Sequence, residues 1–88
     1  MKKAIITVVG KDTVGIIAKV CTFLSEKNIN ILDISQTITG GFFNMMMIVD
    51  VSNTTESFDT VAAEIAQYGK DQIGVDIKMQ LEEIFTMM

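Results

Sequence analysis

Four stretches rich in β-branched and apolar residues predict β-strands. Apolar and polar residues alternate most cleanly in the fourth, whereas the first is apolar on both faces. The predicted strands span residues 3–9, 29–39, 42–51 and 75–82. In the second strand Ile31 and Leu32 are adjacent, which breaks the alternation and indicates a β-bulge or an edge strand. Gly40 and Gly41 separate the second and third strands, and two consecutive glycines favour a two-residue hairpin turn.

The segment after the first strand has apolar residues at helical spacing. The predicted helix begins near Thr13 or Val14, with Asp12 or Thr13 as its N-cap. It ends at Lys27-Asn28, because asparagine tolerates the left-handed conformation that follows many helices. Its expected buried stripe consists of Ile16, Ile17, Val20, Phe23 and Leu24.

A second helical pattern runs from about Glu56 to Tyr68. Asn53 and Glu56 have the spacing of a capping box at its start, and Gly69 is the expected stop. The apolar positions that we expect to face the core are Phe58, Val61, Ala62, Ile65 and Tyr68.

The predicted order of elements is strand, helix, strand, strand, helix, strand. Right-handed connections give this order an α+β fold, the ferredoxin-like βαββαβ arrangement, with a four-stranded antiparallel sheet and two helices on one face. We expect one domain over residues 1–88, whose apolar tail, residues 82–88, docks on the domain or on a partner. The other sheet face has no helix to cover it.

The composition favours self-association of this small domain. A chain of 88 residues buries only about 60–65% of its unfolded surface, yet 49% of the residues are hydrophobic. We therefore expect a homo-oligomer, at least a homodimer. The net charge is −4 and arginine is absent, which argues against a nucleic acid partner. No apolar run is long enough for a membrane span or a secretion signal, so we expect no membrane partner and a cytoplasmic location.

The residue inventory argues against catalysis and metal binding. Histidine is absent and Cys21 is the only cysteine, which excludes an internal disulfide and a multi-cysteine metal site. Cys21 lies among apolar helical positions and is expected to pack rather than react. Without histidine no ordinary pair of nucleophile and base can be assembled, so we expect no enzyme activity, no catalytic residue and no cofactor.

The candidate binding element lies between Gly10 and Gly15, where a strand ends, turns and leads into a helix. Unpaired backbone N–H groups and the positive end of a helix dipole meet at such a junction, which suits a small anion such as a carboxylate. The alternatives are structural: the glycines serve only turn geometry and close packing, and Asp12 is only a helix cap.

The same residues resemble those of ACT domains, and in particular the small stand-alone ACT proteins of bacteria and archaea. The resemblance covers nearly the whole chain. It rests on the motifs Gly10-x-Asp12-x-x-Gly15-Ile16-Ile17-Ala18-x-Val20 and Asn30-Ile31-x-Asp33-Ile34-x-Gln36. Many relatives have Arg-Pro where this chain has Thr13-Val14, which removes one cationic contact for a ligand.

The resemblance implies a non-catalytic regulatory module that binds an amino acid or a similar small metabolite at the interface of paired domains. Gly10 and Gly15 match the family glycines, Asp12 matches the acid of the family loop, and Asn30 matches an asparagine near the ligand. The alternative for Asn30 is a turn residue that leads into the strand. The candidate ligand-binding residues are Gly10, Asp12, Thr13, Val14, Gly15, Ile16 and Asn30. A ligand-free dimerisation or protein-interaction module is the alternative.

Overall fold

A computed structural model describes residues 2–83 of the chain. Its elements are β1 (Lys3–Lys11), α1 (Ile16–Glu26), β2 (Asn30–Thr39), β3 (Phe42–Asp50), α2 (Phe58–Tyr68), one π-helical turn (Gly69–Ile73) and β4 (Val75–Leu81). The strands form one antiparallel sheet in the order β2-β3-β1-β4. The predicted ferredoxin-like βαββαβ fold is therefore confirmed. The docking predicted for the apolar tail falls mainly on residues 84–88, outside the described part.

The hydrophobic core lies between one face of the sheet and the two helices. Alternate residues of β1, β3 and β4 are buried on this face, except Gly10 and Leu81, which are half-buried near the strand ends. Helix α1 buries four of its five predicted apolar positions, but Ile17 remains 36% exposed because it lies toward edge strand β2. The buried residues are Ala4, Ile6, Val8, Ile16, Val20, Phe23, Leu24, Ile29, Phe43, Met45, Met47, Val49, Val51, Val61, Ile65, Val75, Ile77 and Met79.

Strand β2 lies at the edge of the sheet and contains the predicted bulge. Its register against β3 shifts between Ile31 and Asp33, so Leu32 is the extra residue. One inserted residue exchanges the two faces of the strand from that point on. As a result Ile34 and Ile38 lie on the helix side of the sheet, yet they are 40% and 60% exposed.

Helix α1 begins later than the sequence predicted. Gly15 is its N-cap, with φ of +90°, and no side chain caps this helix, so the prediction of Asp12 or Thr13 as the cap is wrong. The Asp12 backbone N–H donates to the Gly41 carbonyl at 3.0 Å, which ties the loop to the β2–β3 hairpin. The chain turns through the left-handed Gly15 before it becomes helical. The predicted end is confirmed, since Asn28 has φ of +59°.

Helix α2 is capped by Ser57, whose hydroxyl accepts from the Thr60 backbone N–H at 3.2 Å. The predicted capping box is wrong because the Glu56 carboxylate binds Lys27 Nζ at 2.6 Å instead. The helix ends at Tyr68 as predicted, but Gly69 is right-handed and the chain continues through the π-helical turn. The left-handed stop is Gly74, with φ of +83°.

Gly10 is required for the close approach of β1 to β4. It pairs with Val75, and a Cβ atom built on it would lie 2.6 Å from Val75 Cγ1 and 3.1 Å from Val75 Cα. Any side chain at this position must therefore displace a β-branched residue and its backbone. The structure thus supports the packing explanation for this glycine.

The capping assignment predicts that Ser57→Ala lowers the free energy of unfolding by about 1 kcal/mol, because the Thr60 N–H loses its acceptor. Asn53→Ala is the matched control and should change it by less than about 0.5 kcal/mol. Urea denaturation followed by circular dichroism measures both. Equal losses in the two variants would contradict the assignment.

The contact of Glu56 with Lys27 predicts a pH-dependent stability. Hydrogen bonding from Lys27 holds the pKa of Glu56 below its ordinary value of 4.5. A depressed carboxyl pKa contributes stability that is present above pH 4.5 and is lost as the pH falls through the folded-state value. The melting temperature of Glu56→Gln should therefore lie below that of the wild type at pH 7, and the gap should narrow at pH 3. A gap of the same size at both pH values would count against this contact.

The packing of Gly10 predicts that Gly10→Ala destabilises the fold by about 1–3 kcal/mol, the usual cost of overpacking. Val75→Ala removes the clashing methyl groups. Gly10→Ala should therefore cost less stability in the Val75→Ala background than in the wild type. A double-mutant cycle in urea measures the coupling. Strictly additive losses would mean that the two residues do not compete for space.

Candidate functional site

A cleft of about 220 Å³ lies between the start of α1 and strand β2. The loop that follows β1 forms one wall, and the helix-side residues of β2 and β3 form the other. The lining residues are Asp12, Thr13, Gly15, Ile16, Ile17, Ala18, Gln36, Ile38 and Phe43.

The start of α1 supplies hydrogen-bond donors to this cleft. The first backbone N–H groups of an α-helix have no partner within the helix, and here no side chain caps them. The residues of this first turn, Ile16, Ile17 and Ala18, all line the cleft. The positive end of the helix dipole adds to the attraction for an anion. A carboxylate is therefore the chemical group that this end of the cleft suits best.

Polar acceptors lie on both sides of the same cleft. Asp12 is exposed at the loop, and its backbone is held by the bond to Gly41. Gln36 is the only amide side chain in the lining and comes from β2 on the opposite wall. A carboxylate and an amide oxygen can accept hydrogen bonds from an ammonium group. The cleft thus combines donors for an anion with acceptors for a cation.

Apolar side chains form the rest of the lining. Ile16 and Phe43 are almost fully buried, whereas Ile38 is 60% exposed on the β2 side. This side of the cleft is open because β2 is the edge strand. Within residues 2–83 no cluster of three or more histidine, cysteine, aspartate or glutamate residues is placed to hold a metal ion.

The structure brings together four of the seven predicted site residues. Asp12, Thr13, Gly15 and Ile16 line the cleft. The other predicted loop residues do not: Val14 is fully exposed, and Gly10 packs against β4.

Asn30 lies at the opposite end of the sheet. It pairs with Asp50, which also pairs with Lys3 at the start of β1, whereas the loop follows Lys11 at the end of β1. Eight residues of strand separate the two ends, roughly 25 Å at 3.3 Å per residue. Asn30 therefore cannot reach the cleft of its own chain.

Asn30 lines a second cleft instead. This cleft, of about 560 Å³, lies where α1 ends and β2 begins, and its other lining residues are Cys21, Ser25, Asn28, Ile29, Ile31 and Asn53. Amide and hydroxyl groups predominate in it, and Cys21 is half-buried at its side.

The sequence analysis missed the part of the site that comes from the sheet. Gln36 and Ile38 face the cleft because the bulge at Leu32 turns them to the helix side. The adjacent apolar pair at the bulge was the signal that could have placed them there. Phe43 also comes from the sheet, and its place in the cleft depends on the strand order.

Three comparisons identify the family. The chain matches the ACT domain family over residues 2–80. A UPF0237 protein of Bifidobacterium longum is 61% identical over 88 residues, which are 100% of this chain and 97% of that protein. An ACT domain protein from Streptococcus pneumoniae has a TM-score of 0.85 and 41% identity, over 99% of this chain and 97% of that one.

A more distant similarity extends to a larger regulatory protein. The regulatory subunit of aspartate kinase from Thermus thermophilus has a TM-score of 0.67 and 27% identity, over 90% of this chain and 50% of that one. No helix within residues 2–83 is long and apolar enough to cross a membrane. The match over 79 residues and the high identity to a relative of nearly the same length show that this chain belongs to the ACT domain family.

Proposed function

We propose that this protein is a non-catalytic regulatory module that binds an amino acid or a similar small anionic metabolite at a homodimer interface. The observation that carries the proposal is the uncapped start of α1, which opens into a cleft that also contains Asp12 and Gln36. The ligand carboxylate binds the N–H groups of the first helical turn, and its ammonium group binds the acceptors.

The edge strand β2 supports a dimer as the binding unit. Within residues 2–83 it pairs only with β3, so its outer edge can pair with another strand. The exposed Ile38 lines the same cleft as the exposed Ile17 of α1, and Ile34 lies on the same side of β2, which gives this edge an apolar surface on the helix side. Two copies that join their β2 edges would cover that surface.

Antiparallel pairing of two β2 edges would also complete the site. Such pairing reverses one strand relative to the other, so the start of β2 in one copy lies next to the end of β2 in its neighbour. Asn30 of one copy then approaches the Asp12–Gly15 loop of the other. The proposed site therefore uses the loop of one chain and the amide cleft of the second, which explains why the two lie far apart within one chain.

Membership of the ACT family supports the regulatory role, and a similar solved structure is the regulatory subunit of aspartate kinase. A module of this kind regulates because its ligand binds two conformational states with different affinity. The two states are those of the dimer itself or of its complex with a separate regulated protein.

The first test is a thermal-shift measurement of the pure protein against the twenty amino acids, nucleobases, folates and small carboxylates. A compound at 100 times its dissociation constant should raise the stability by about 2.7 kcal/mol. Asp12→Ala should abolish the shift while changing the stability of the unliganded fold by less than about 0.5 kcal/mol, because Asp12 does not cap α1. Asp59→Ala, which removes an exposed acid from α2, is the matched control.

A mixed dimer tests whether the site is shared between chains. Asp12→Ala and Asn30→Ala homodimers should both fail to bind the panel compound that shifts the wild type most. A heterodimer of the two variants should bind one molecule per dimer, because one of its two sites keeps both residues. Isothermal titration of the purified heterodimer measures this stoichiometry. A heterodimer without binding would refute the shared site, and a flat panel with a stable dimer would favour the ligand-free module.

A further inference from the structure

The sheet face opposite the helices, here called the open face, has an apolar centre. The outward-facing residues of β1 and β3 alternate with the buried core residues and include Ile5, Val9, Phe42, Met46 and Ile48. Phe42, Met46 and Val9 are 55%, 49% and 47% exposed. No element within residues 2–83 covers this face, and it is separate from the β2 edge used in the proposed ligand site.

Charged residues of both signs surround this centre in equal number. The cations are Lys3, Lys11 and Lys78, and the anions are Asp33, Asp50 and Asp76. The face is therefore neutral, although the whole chain carries −4. A neutral rim offers no attraction to a polyanion or to an anionic membrane surface. It does allow a second copy to approach, since the excess of negative residues that gives the chain its net charge lies outside this face.

Two of these charged residues, Asp76 and Lys78, are complementary across a two-fold axis. The axis runs between two facing sheets, perpendicular to the strands and level with Val8, and sets each strand against the same strand reversed. Since Lys78 is level with Thr7 and Asp76 with Val9, each Asp76 then lies opposite Lys78 of the second copy. The strands of two packed sheets cross at about 30°, so residues that lie close to the axis remain opposite each other.

The same axis also pairs two apolar residues of β3 with each other. Phe42 lies opposite Ile48 of the second copy, and this contact also occurs twice. A depression of about 260 Å³ lies on the axis between Thr7, Asn44 and Met46, with β2 as its far wall. Met46 of the second copy is opposite Asn44 and can fill this depression with a flexible apolar side chain.

We propose that the open face binds a second copy of this chain, face to face, through reciprocal Phe42–Ile48 and Asp76–Lys78 contacts. This interface goes beyond the proposed ligand site and does not require it.

The apolar part is tested with Phe42→Thr/Met46→Thr, which keeps residues that favour a strand. Light scattering after size exclusion should show half the wild-type particle mass, with an unchanged circular dichroism spectrum. This halving is expected whether or not the β2 edges pair, and binding of a panel compound should be retained. If the wild type and the variant have the same particle mass at all concentrations, the proposal is overturned. The open face would then be a candidate binding site for a different protein.

The proposed Asp76–Lys78 pairing is tested by exchanging the two charges. Lys78→Asp alone places carboxylates opposite each other and should weaken the association several-fold to about tenfold, whereas Asp76→Lys/Lys78→Asp exchanges the charges and should restore it. A double variant as weak as the single one would overturn the proposed register.

A covalent probe is independent of these substitutions. Asn44 lies next to the axis, about 12 Å from Asn44 of the second copy at the usual spacing of packed sheets, so Asn44→Cys in a Cys21→Ser background should be linked into pairs by a bifunctional maleimide with a spacer of about that length. Gln67→Cys, on the exposed side of α2, is the matched control for random collisions. Equal yields of linked pairs from the two proteins would also overturn the proposal.

Discussion

The antiparallel pairing of β1 with both β3 and β4 determines where the rest of the chain lies. β1 pairs with β3 along its whole length and with β4 over seven positions. Near the end of β1, only a glycine at position 10 allows β4 to pair with it, because Val75 occupies the space that a side chain at position 10 would need. The loop that follows is fixed to the β2–β3 hairpin, and so α1 must begin at this end of the sheet.

The position of α1 explains why one chain leaves two surfaces incomplete. The helices cover the inner strands, but the helix-side residues of β2, among them Ile34 and Ile38, remain exposed beyond α1. The opposite face of the sheet has no covering layer within residues 2–83. A small domain has too little polar surface and too few elements to hide all its apolar residues, and association offers the cover that the chain lacks.

The sequence was sufficient for the features that depend on local patterns. Runs of β-branched and apolar residues, with the clearest alternation in β4, located all four strands. The adjacent pair at Leu32 indicated the bulge, and the two glycines after Thr39 indicated the hairpin. The N-caps were wrong because they depend on contacts between distant segments. Asp12 is engaged by the hairpin, and Glu56 by a lysine at the end of the other helix.

Only the part of the candidate site that is contiguous in sequence was predictable, because the rest depends on contacts between distant segments. The loop and the first turn of α1 are contiguous in sequence, so Asp12, Gly15 and Ile16 could be grouped from a pattern alone. Gln36 enters the cleft through the bulge and the strand order, which no local pattern specifies. Asn30 was grouped with the loop through family resemblance, and the sheet register shows that this grouping can hold only between chains.

The two proposed interfaces are geometrically compatible in one assembly. Pairing of two β2 edges requires a two-fold axis normal to the sheet, whereas packing of two open faces requires an axis parallel to the sheet and across the strands. The second axis passes between Ser35 and Thr37, at the middle of β2 after the bulge. If the edge axis lies at the same level, the two axes meet at a right angle and four chains form a closed particle with dihedral symmetry. A ligand that alters the angle between paired edges would then also shift the opposed faces, because each sheet takes part in both contacts.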